Sequence, residues 1–221
     1  MNINIEIELH SQNLRDYFSR LRNDSNYKQT KRRKFDRWVK ELDIVLKQIG
    51  IINTVVLPKI EIDLGDSFSD RNLFLTALIQ PSVKKIFSEI KKEFSSTSDF
   101  IVPHQALDLL VSCPDRANSL AWIGDTAIKY SISSKIWDLE SSTEDLNDTR
   151  KMCESNKNFS ELCNKWNLFE SRINLDPEDQ KLKSVNKIKG TLVEAIFGVV
   201  YVEKRIDGVQ KALHLIHKSL E

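Results

Sequence analysis

Two acidic residues in otherwise apolar stretches are the residues of this sequence best suited to chemistry. Asp125 lies in Ser119-Leu-Ala-Trp-Ile-Gly-Asp-Thr-Ala-Ile-Lys-Tyr-Ser-Ile, and Glu194 lies in Lys187-Ile-Lys-Gly-Thr-Leu-Val-Glu-Ala-Ile-Phe-Gly-Val-Val-Tyr. The apolar positions of both segments recur at helical spacing, so each acid is expected on a helix that packs into the core. An ionised carboxylate is costly in such surroundings unless it is paired or binds a cation.

One carboxylate from each of two buried helices suits a divalent cation with oxygen ligands. Mg²⁺ typically takes one or two carboxylates and fills its other positions with water and substrate phosphate. Such an ion polarises a phosphate, activates a water and neutralises the leaving oxyanion, which is the chemistry of phosphodiester hydrolysis. The residues alone leave an alternative open, in which Asp125 and Glu194 pair with Lys or Arg or accept backbone hydrogen bonds.

Helical patterning surrounds these two segments. From Arg71 onward the chain is poor in glycine, and its apolar residues recur at helical spacing. We predict two helices in the N-terminal part and eight after residue 70, over 13–22, 31–49, 73–78, 83–94, 104–111, 118–137, 146–152, 159–167, 187–203 and 207–220.

Two short stretches near the N-terminus break this helical pattern. Apolar residues alternate with polar ones at Ile3, Ile5, Ile7 and Leu9, and again at Ile60, Ile62 and Leu64. Alternation of this kind predicts half-buried strands. We therefore predict a strand–helix–helix–strand element over residues 1–65 with its strands paired, and a boundary in the turn that begins at Gly65.

The composition indicates an ordinary globular domain, with or without an extension. Of 221 residues, 40% are hydrophobic, and 33 Lys and Arg oppose 32 Asp and Glu, so an RNA site would have to be a local basic patch. Cys113, Cys153 and Cys163 have no CxxC spacing, which favours reduced core residues over a zinc site. No apolar run approaches the roughly 18 residues of a membrane span, and the start has no basic leader. We expect a soluble, cytoplasmic protein.

Four segments in sequence order resemble the ribonuclease III family. Leu73-Phe-Leu-Thr-Ala-Leu-Ile-Gln-Pro-Ser is similar to LLxxALTHPS, and Leu120-Ala-Trp-Ile-Gly-Asp-Thr-Ala to LEFLGDAV. Arg150-Lys-Met-Cys-Glu-Ser-Asn, with Phe159-Ser-Glu-Leu and Trp166-Asn-Leu, is similar to RxxLVSN…LAxLAxxxGL, and Gly190-Thr-Leu-Val-Glu-Ala-Ile-Phe-Gly-Val-Val-Tyr-Val to ADLLEALIGALYLD. The resemblance implies a mostly α fold. It would comprise a ribonuclease III-type helical endonuclease domain over 66–221 with a helical insertion at about 83–117, and an N-terminal extension over 1–65 with helices and possible short strands.

Two positions depart from the acidic pattern of the family. Its members place two acids in each motif, whereas this chain has Ala121 and Thr191 at two of the four positions and keeps Asp125 and Glu194. This pattern is similar to the small Mini-III branch, whose members cleave double-stranded RNA, act in maturation of large-subunit ribosomal RNA and carry no separate RNA-binding domain. The RGRN-like loop of that branch is not evident, so the resemblance is to a divergent relative.

The resemblance also implies roles for single residues. It assigns Asp125 and Glu194 as catalytic ligands of Mg²⁺, for which Mn²⁺ would substitute. Lys187 matches a lysine of some members and would contact the phosphate as a point charge, with a solvated lysine as the alternative. Trp122 would lie at a homodimer interface, because the signature helices of this family pair across a two-fold axis. A core aromatic residue is the alternative there.

The most basic stretch of the chain is Lys28-Gln-Thr-Lys-Arg-Arg-Lys. Lys31, Arg32, Arg33 and Lys34 are its candidates for RNA binding, because A-form RNA is recognised through its shape and backbone. A solvated helix start is the alternative.

Together these features imply a metal-dependent endoribonuclease that acts as a homodimer on double-stranded or structured RNA, with ribosomal RNA maturation as the expected role. We expect neither DNA nor a membrane as a partner. The alternative is a degenerate domain that keeps the fold for RNA binding or dimerisation. Ala121 and Thr191 favour this alternative, and the retained Asp125 and Glu194 oppose it. A third possibility is that residues 1–65 recruit a protein partner, which depends on whether they pack onto the rest of the chain.

Overall fold

Helices make up nearly all of the regular structure in the computed structural model, which describes residues 6–97, 100–137, 141–176 and 185–217. The helices are α1 (Ile7–Leu21), α2 (Gln29–Ile51), α3 (Leu57–Leu64), α4 (Arg71–Ala77), α5 (Val83–Glu93), α6 (His104–Ile136), α7 (Thr143–Cys153), α8 (Asn156–Lys165), α9 (Leu168–Ser171) and α10 (Val185–Ala212). A π-helical segment, Ile52–Val56, joins α2 to α3, and a 3₁₀ turn, Leu213–Leu215, follows α10. The described residues contain one isolated bridge, between Ile79 and Ile173, and no strand. The predicted mostly helical fold is confirmed.

The strand predicted at residues 60–64 is wrong, because this stretch lies in α3. Ile60 is fully buried whereas Ile62 is 79% exposed. Residues two apart would share a face in a strand, but they point in different directions on a helix. Ile60 and Leu64, four residues apart, fit one stripe of a helix equally well, so three alternating residues were too few to distinguish the two periods.

The first predicted strand fails for the same reason over its described part. Ile3 and Ile5 lie outside the described residues, and Ile7 opens α1. Ile7 is fully buried and Leu9 is 49% exposed, which again contradicts a shared strand face. The predicted strand pairing is therefore replaced by a helical extension.

Helices α6 and α10 are longer than predicted. The helices expected over 104–111 and 118–137 form one helix, α6, that continues through Pro114. Pro114 is buried together with Cys113 and Ala117, so packing of this face outweighs the tendency of proline to end a helix. Helix α10 likewise joins two predicted helices across a kink at Arg205, whose φ is 59° and ψ is −164°. Residues 218–220 of the second one lie outside the described residues.

The N-terminal extension packs onto the rest of the chain. One hydrophobic core runs from Ile7 to Ile216. The ring centroids of Phe18 in α1 and Phe94 after α5 lie 5.7 Å apart. Across the predicted boundary, the Trp166 indole Nε1 donates a hydrogen bond to Asp63 at 2.7 Å. The extension is thus part of the body of the molecule rather than a projecting arm.

Helix α10 also fixes the turn that precedes α4. The Glu203 carboxylate accepts hydrogen bonds from the backbone N–H groups of Ser69 and Asp70, at 2.8 and 2.9 Å. Lys204 donates to the backbone oxygen of Ser67 at 2.7 Å. These contacts hold the kinked end of α10, so its central part is kept in place against α6.

Cys113, Cys153 and Cys163 are buried, in agreement with the core positions that the sequence predicted. Burial raises the pKa of Cys113 and of Cys163 to about 11, so both stay protonated at neutral pH. Among the described segments, none of the helices has the length and apolar character that crossing a membrane requires.

Candidate active site

Asp125 and Glu194 lie where α6 and α10 cross with their backbones in contact. A Cβ atom added to Gly124 would lie under 3.0 Å from the backbone oxygen of Glu194, and one added to Gly198 would lie equally close to that of Leu120. Real Cβ atoms do not approach backbone so closely, so the crossing depends on glycine at both positions. This crossing brings the Asp125 carboxylate of α6 and the Glu194 carboxylate of α10 close enough to interact.

The Asp125 carboxylate is paired with a lysine of its own helix. The Lys129 Nζ donates a hydrogen bond to Asp125 Oδ2 at 2.7 Å, and the two side chains are 47% and 33% exposed. The alternative that the sequence left open, a pairing of Asp125 with lysine, is therefore present. A half-exposed pair one helical turn apart contributes only about 0.3–0.5 kcal/mol. Another cation can replace the lysine at little cost.

Glu194 is affected by both charges of that pair. Burial, and then the negative charge of Asp125, raise the pKa of Glu194 to about 7, against the opposing positive charge of Lys129. A carboxyl group whose pKa is raised in this way is stabilised in its ionised form by an added cation. The two acids that the sequence predicted are thus close enough to repel each other.

Glu154, which sequence reasoning missed, joins them from the end of α7. Its side chain is 15% exposed, and its buried Oε1 has no hydrogen-bond partner among the described residues. Arg150 Nε lies 3.7 Å from the same oxygen. Burial raises the pKa of Glu154, Arg150 and Lys129 oppose this shift, and Asp125 adds to it. We call Asp125, Glu154 and Glu194 the carboxylate cluster.

The carboxylate cluster fits a divalent cation that needs few protein ligands. The Lys129 ammonium interacts with all three carboxylates, so positive charge is favoured here. Within the described ranges, no group of three or more His, Cys, Asp and Glu side chains is placed to hold a metal ion, so the three carboxylates do not form a complete ligand set. A magnesium ion does not need one, since it keeps several waters and leaves positions for substrate phosphate.

Lys187 and Thr191 precede Glu194 on α10 by two turns and about one turn. With Asn118 of α6 they line a cavity of about 170 Å³, whose wall also includes Gln80. Lys187 is exposed. Residues seven apart share a helix face, so α10 presents Lys187 on the side of Glu194, beside a cavity at the junction with α6.

Trp122 is not a core residue. It is 70% exposed on α6, and Tyr130, two helical turns further on, is 60% exposed. Trp137 at the end of the helix is 63% exposed. The core alternative for Trp122 is therefore excluded. Trp122 and Tyr130 give α6 an exposed aromatic surface beside Asp125, and Trp137 lies apart from them at the end of the helix.

The four basic candidates of the extension face two different surfaces. Lys31 and Lys34 form ion pairs with Glu93, at 3.0 and 2.8 Å. Arg32 and Arg33 line a cavity elsewhere on the extension. The basic run is consequently not one continuous surface.

Comparison with known proteins identifies the region that contains the carboxylate cluster. Residues 118–205 match the family model of the ribonuclease III domain. The solved nuclease domain of ribonuclease III from Campylobacter jejuni, studied for flexibility in a region involved in dimer formation, is similar to this chain with a TM-score of 0.53 and 20% identity. The match covers 73% of this chain and 96% of that one. No curated protein matches the sequence. The fold expected from the motifs is confirmed.

Proposed function

We propose that the chain hydrolyses phosphodiester bonds in double-stranded RNA with the help of a divalent metal ion, because residues 118–205 match the ribonuclease III domain, the domain of a family of endoribonucleases. The observation that carries this proposal is the carboxylate cluster at the crossing of α6 and α10. All three of its members lie within residues 118–205, which match the domain.

In this proposal, the bound ion supplies Lewis-acid polarisation of the phosphate and a nucleophilic water. Asp125 and Glu194 would hold it, and its charge would relieve the repulsion that raises the pKa of Glu194. Lys129 would give up its weak pair with Asp125. Oε1 of Glu154, which accepts no hydrogen bond from the described residues, would accept one from water, and Lys187 would place a positive charge near the phosphate.

We also propose that two copies of the chain pair through the exposed aromatic surface of α6. Trp122 and Tyr130 supply large apolar area, which contributes strongly to interfaces. A two-fold interface uses the same surface on both copies. Such a homodimer would place two carboxylate clusters on one RNA duplex.

The finer assignments follow from the resemblance to the small branch of the family. The physiological ion would be Mg²⁺, for which Mn²⁺ would substitute. The protein would act in the cytoplasm, in the maturation of structured ribosomal RNA. Two retained acids of the family pattern, Asp125 and Glu194, favour one firmly held ion at each site.

A second candidate function is RNA binding without cleavage. It is favoured by the Lys129–Asp125 pair, in which a protein cation already neutralises a predicted metal ligand. The loss of two family acids at Ala121 and Thr191 points the same way. The raised pKa of Glu194 favours the nuclease instead, because a purely structural site gains nothing from two carboxylates that repel each other.

Incubation of the full chain with an end-labelled RNA duplex separates the two functions. The nuclease proposal predicts cleavage with Mg²⁺ or Mn²⁺ and none with a chelator, and a DNA duplex of the same sequence should remain uncut. Binding of the RNA duplex without cleavage in either metal would instead support the degenerate domain.

A further inference from the structure

Three arginines of the N-terminal extension line one open cavity near the turn between α1 and α2. The cavity has a volume of about 390 Å³. It is lined by three guanidinium groups, two side-chain amides and one carboxylate, those of Arg22, Arg32, Arg33, Asn23, Gln29 and Asp36. We call it the arginine pocket.

Positive charge in the arginine pocket is only partly balanced. Asp36 forms ion pairs with Arg22 at 3.2 Å and with Lys40 at 2.7 Å, so one carboxylate serves two cations. Arg32 and Arg33 have no ion pair with any of the described residues. The Nε of Arg32 is buried and lacks a hydrogen-bond partner within the same part of the chain. A guanidinium group whose N–H donors are not taken up by protein acceptors can offer its remaining donors to an anion in the pocket.

The neighbouring lysines of α2 show the opposite arrangement. Lys31 and Lys34 share Glu93, and the Lys34 Nζ lies 4.9 Å from the centre of the Trp38 ring. These two charges are used to join α2 to α5. Lys31 and Lys34 thus contribute to the packing of α2 against α5. Arg32 and Arg33, on another side of α2, remain available to a ligand.

We propose that the arginine pocket binds a phosphate group of the RNA backbone, as a contact separate from the carboxylate cluster. This inference rests on the proposed function. Guanidinium groups match phosphate oxygens with paired hydrogen bonds, and the amides of Asn23 and Gln29 add donors. Contacts to phosphate fix position and affinity without reading the base sequence. The pocket would thus add affinity for any duplex long enough to reach it.

The test is the salt dependence of RNA binding, measured by fluorescence anisotropy with a labelled duplex in Mg²⁺. All proteins carry Glu194→Gln, so that bound RNA is not cut. We expect Arg32→Gln/Arg33→Gln to weaken binding about tenfold and to make the slope of log K against log[KCl] shallower by about 1 to 2. Arg33→Gln alone should give about half of that change in slope. Because the Arg33 side chain is exposed, this single variant should fold even if the double variant does not.

Lys31→Gln/Lys34→Gln is the matched control, because it removes the same charge from the same helix. It should change the slope by less than about 0.5. Equal changes of slope in the two double variants would show that only the total charge matters, and would overturn the proposal. An unchanged slope in both double variants would overturn it as well. If wild type cuts duplex RNA while the arginine variants bind it normally, only the pocket is refuted. If wild type neither binds nor cuts it, the proposed function fails as well.

Discussion

At Glu194, burial and a neighbouring carboxylate act in the same direction. Together they raise its pKa to about 7, from an ordinary value of 4.5. Between these two values the folded protein keeps a proton that the unfolded chain has already released. Stability contributed by this group is therefore greatest at low pH and is lost as the pH rises through this range.

We predict that the free energy of unfolding in chelator falls between pH 5 and pH 8 by roughly 2 kcal/mol through this group alone. Urea denaturation gives the free energy of unfolding of wild type and of Glu194→Gln at each pH. The difference between the two proteins isolates the contribution of Glu194 from those of other titrating groups. Glu161→Gln, at a 65% exposed carboxylate on α8, should follow the wild-type curve. Parallel curves for wild type and Glu194→Gln would show that the pKa of Glu194 is not raised.

Single residues differ in how far the sequence reveals them. Asp125 and Glu194 could be found because each interrupts an apolar helix. Glu154 could not, since α7 is rich in acids and nothing in its pattern separates Glu154 from Glu144 or Asp148. Only the packing of α7 against α6 brings it to Asp125.

The crossing of α6 and α10 is the element on which the candidate site depends. We predict that Gly198→Ala destabilises the fold by about 1–3 kcal/mol, because its Cβ atom would collide with the backbone of Leu120 and force the helices apart. RNA cleavage should fall with it, since Asp125 and Glu194 would separate. Thermal unfolding followed by circular dichroism measures the first effect.

The matched control is Gly50→Ala in α2, where a Cβ atom meets nothing within 4 Å. This variant should be as stable as wild type or more stable by about 0.5–1 kcal/mol, because alanine favours a helix. A Gly198→Ala protein that behaves like Gly50→Ala would mean that the helices are not held in backbone contact.

The helices were predictable as a class because apolar residues that recur every 3.6 positions over a long stretch are a distinctive pattern. The errors fell on short or interrupted patterns. Three alternating residues near Ile62 suggested a strand, and α6 was divided although the buried face around Pro114 is continuous. In both places tertiary packing decided the outcome, and packing is not visible in a local pattern.

At the scale of the whole molecule, the exposed aromatic surface of α6 concerns assembly. We predict that the protein sediments as a dimer and that Trp122→Ala shifts it towards monomer. The monomeric variant should keep the wild-type fold by circular dichroism, because Trp122 is 70% exposed and adds little to the core of one chain. Trp137→Ala, at a similarly exposed tryptophan at the end of the same helix, should remain dimeric. A monomeric wild type would exclude the proposed homodimer.

The relation of the extension to the rest of the chain was also beyond the sequence. Whether residues up to 65 pack or project depends on contacts such as the one between Asp63 and Trp166, which lie 103 positions apart. The same holds for the basic run. Its sequence is continuous, but pairing with Glu93 turns Lys31 and Lys34 away from the surface that Arg32 and Arg33 share.

The most direct test of the nuclease account is cleavage of an RNA duplex in Mg²⁺ by Asp125→Asn and Glu194→Gln, compared with wild type and with Glu161→Gln. We predict that both cluster variants lose cleavage by roughly a hundredfold or more, because a poorly held ion forfeits several kcal/mol of transition-state stabilisation. They should still fold and bind RNA, and Glu161→Gln should cut like wild type. Cleavage that persists in both cluster variants would contradict the account, because the catalytic site would then lie elsewhere.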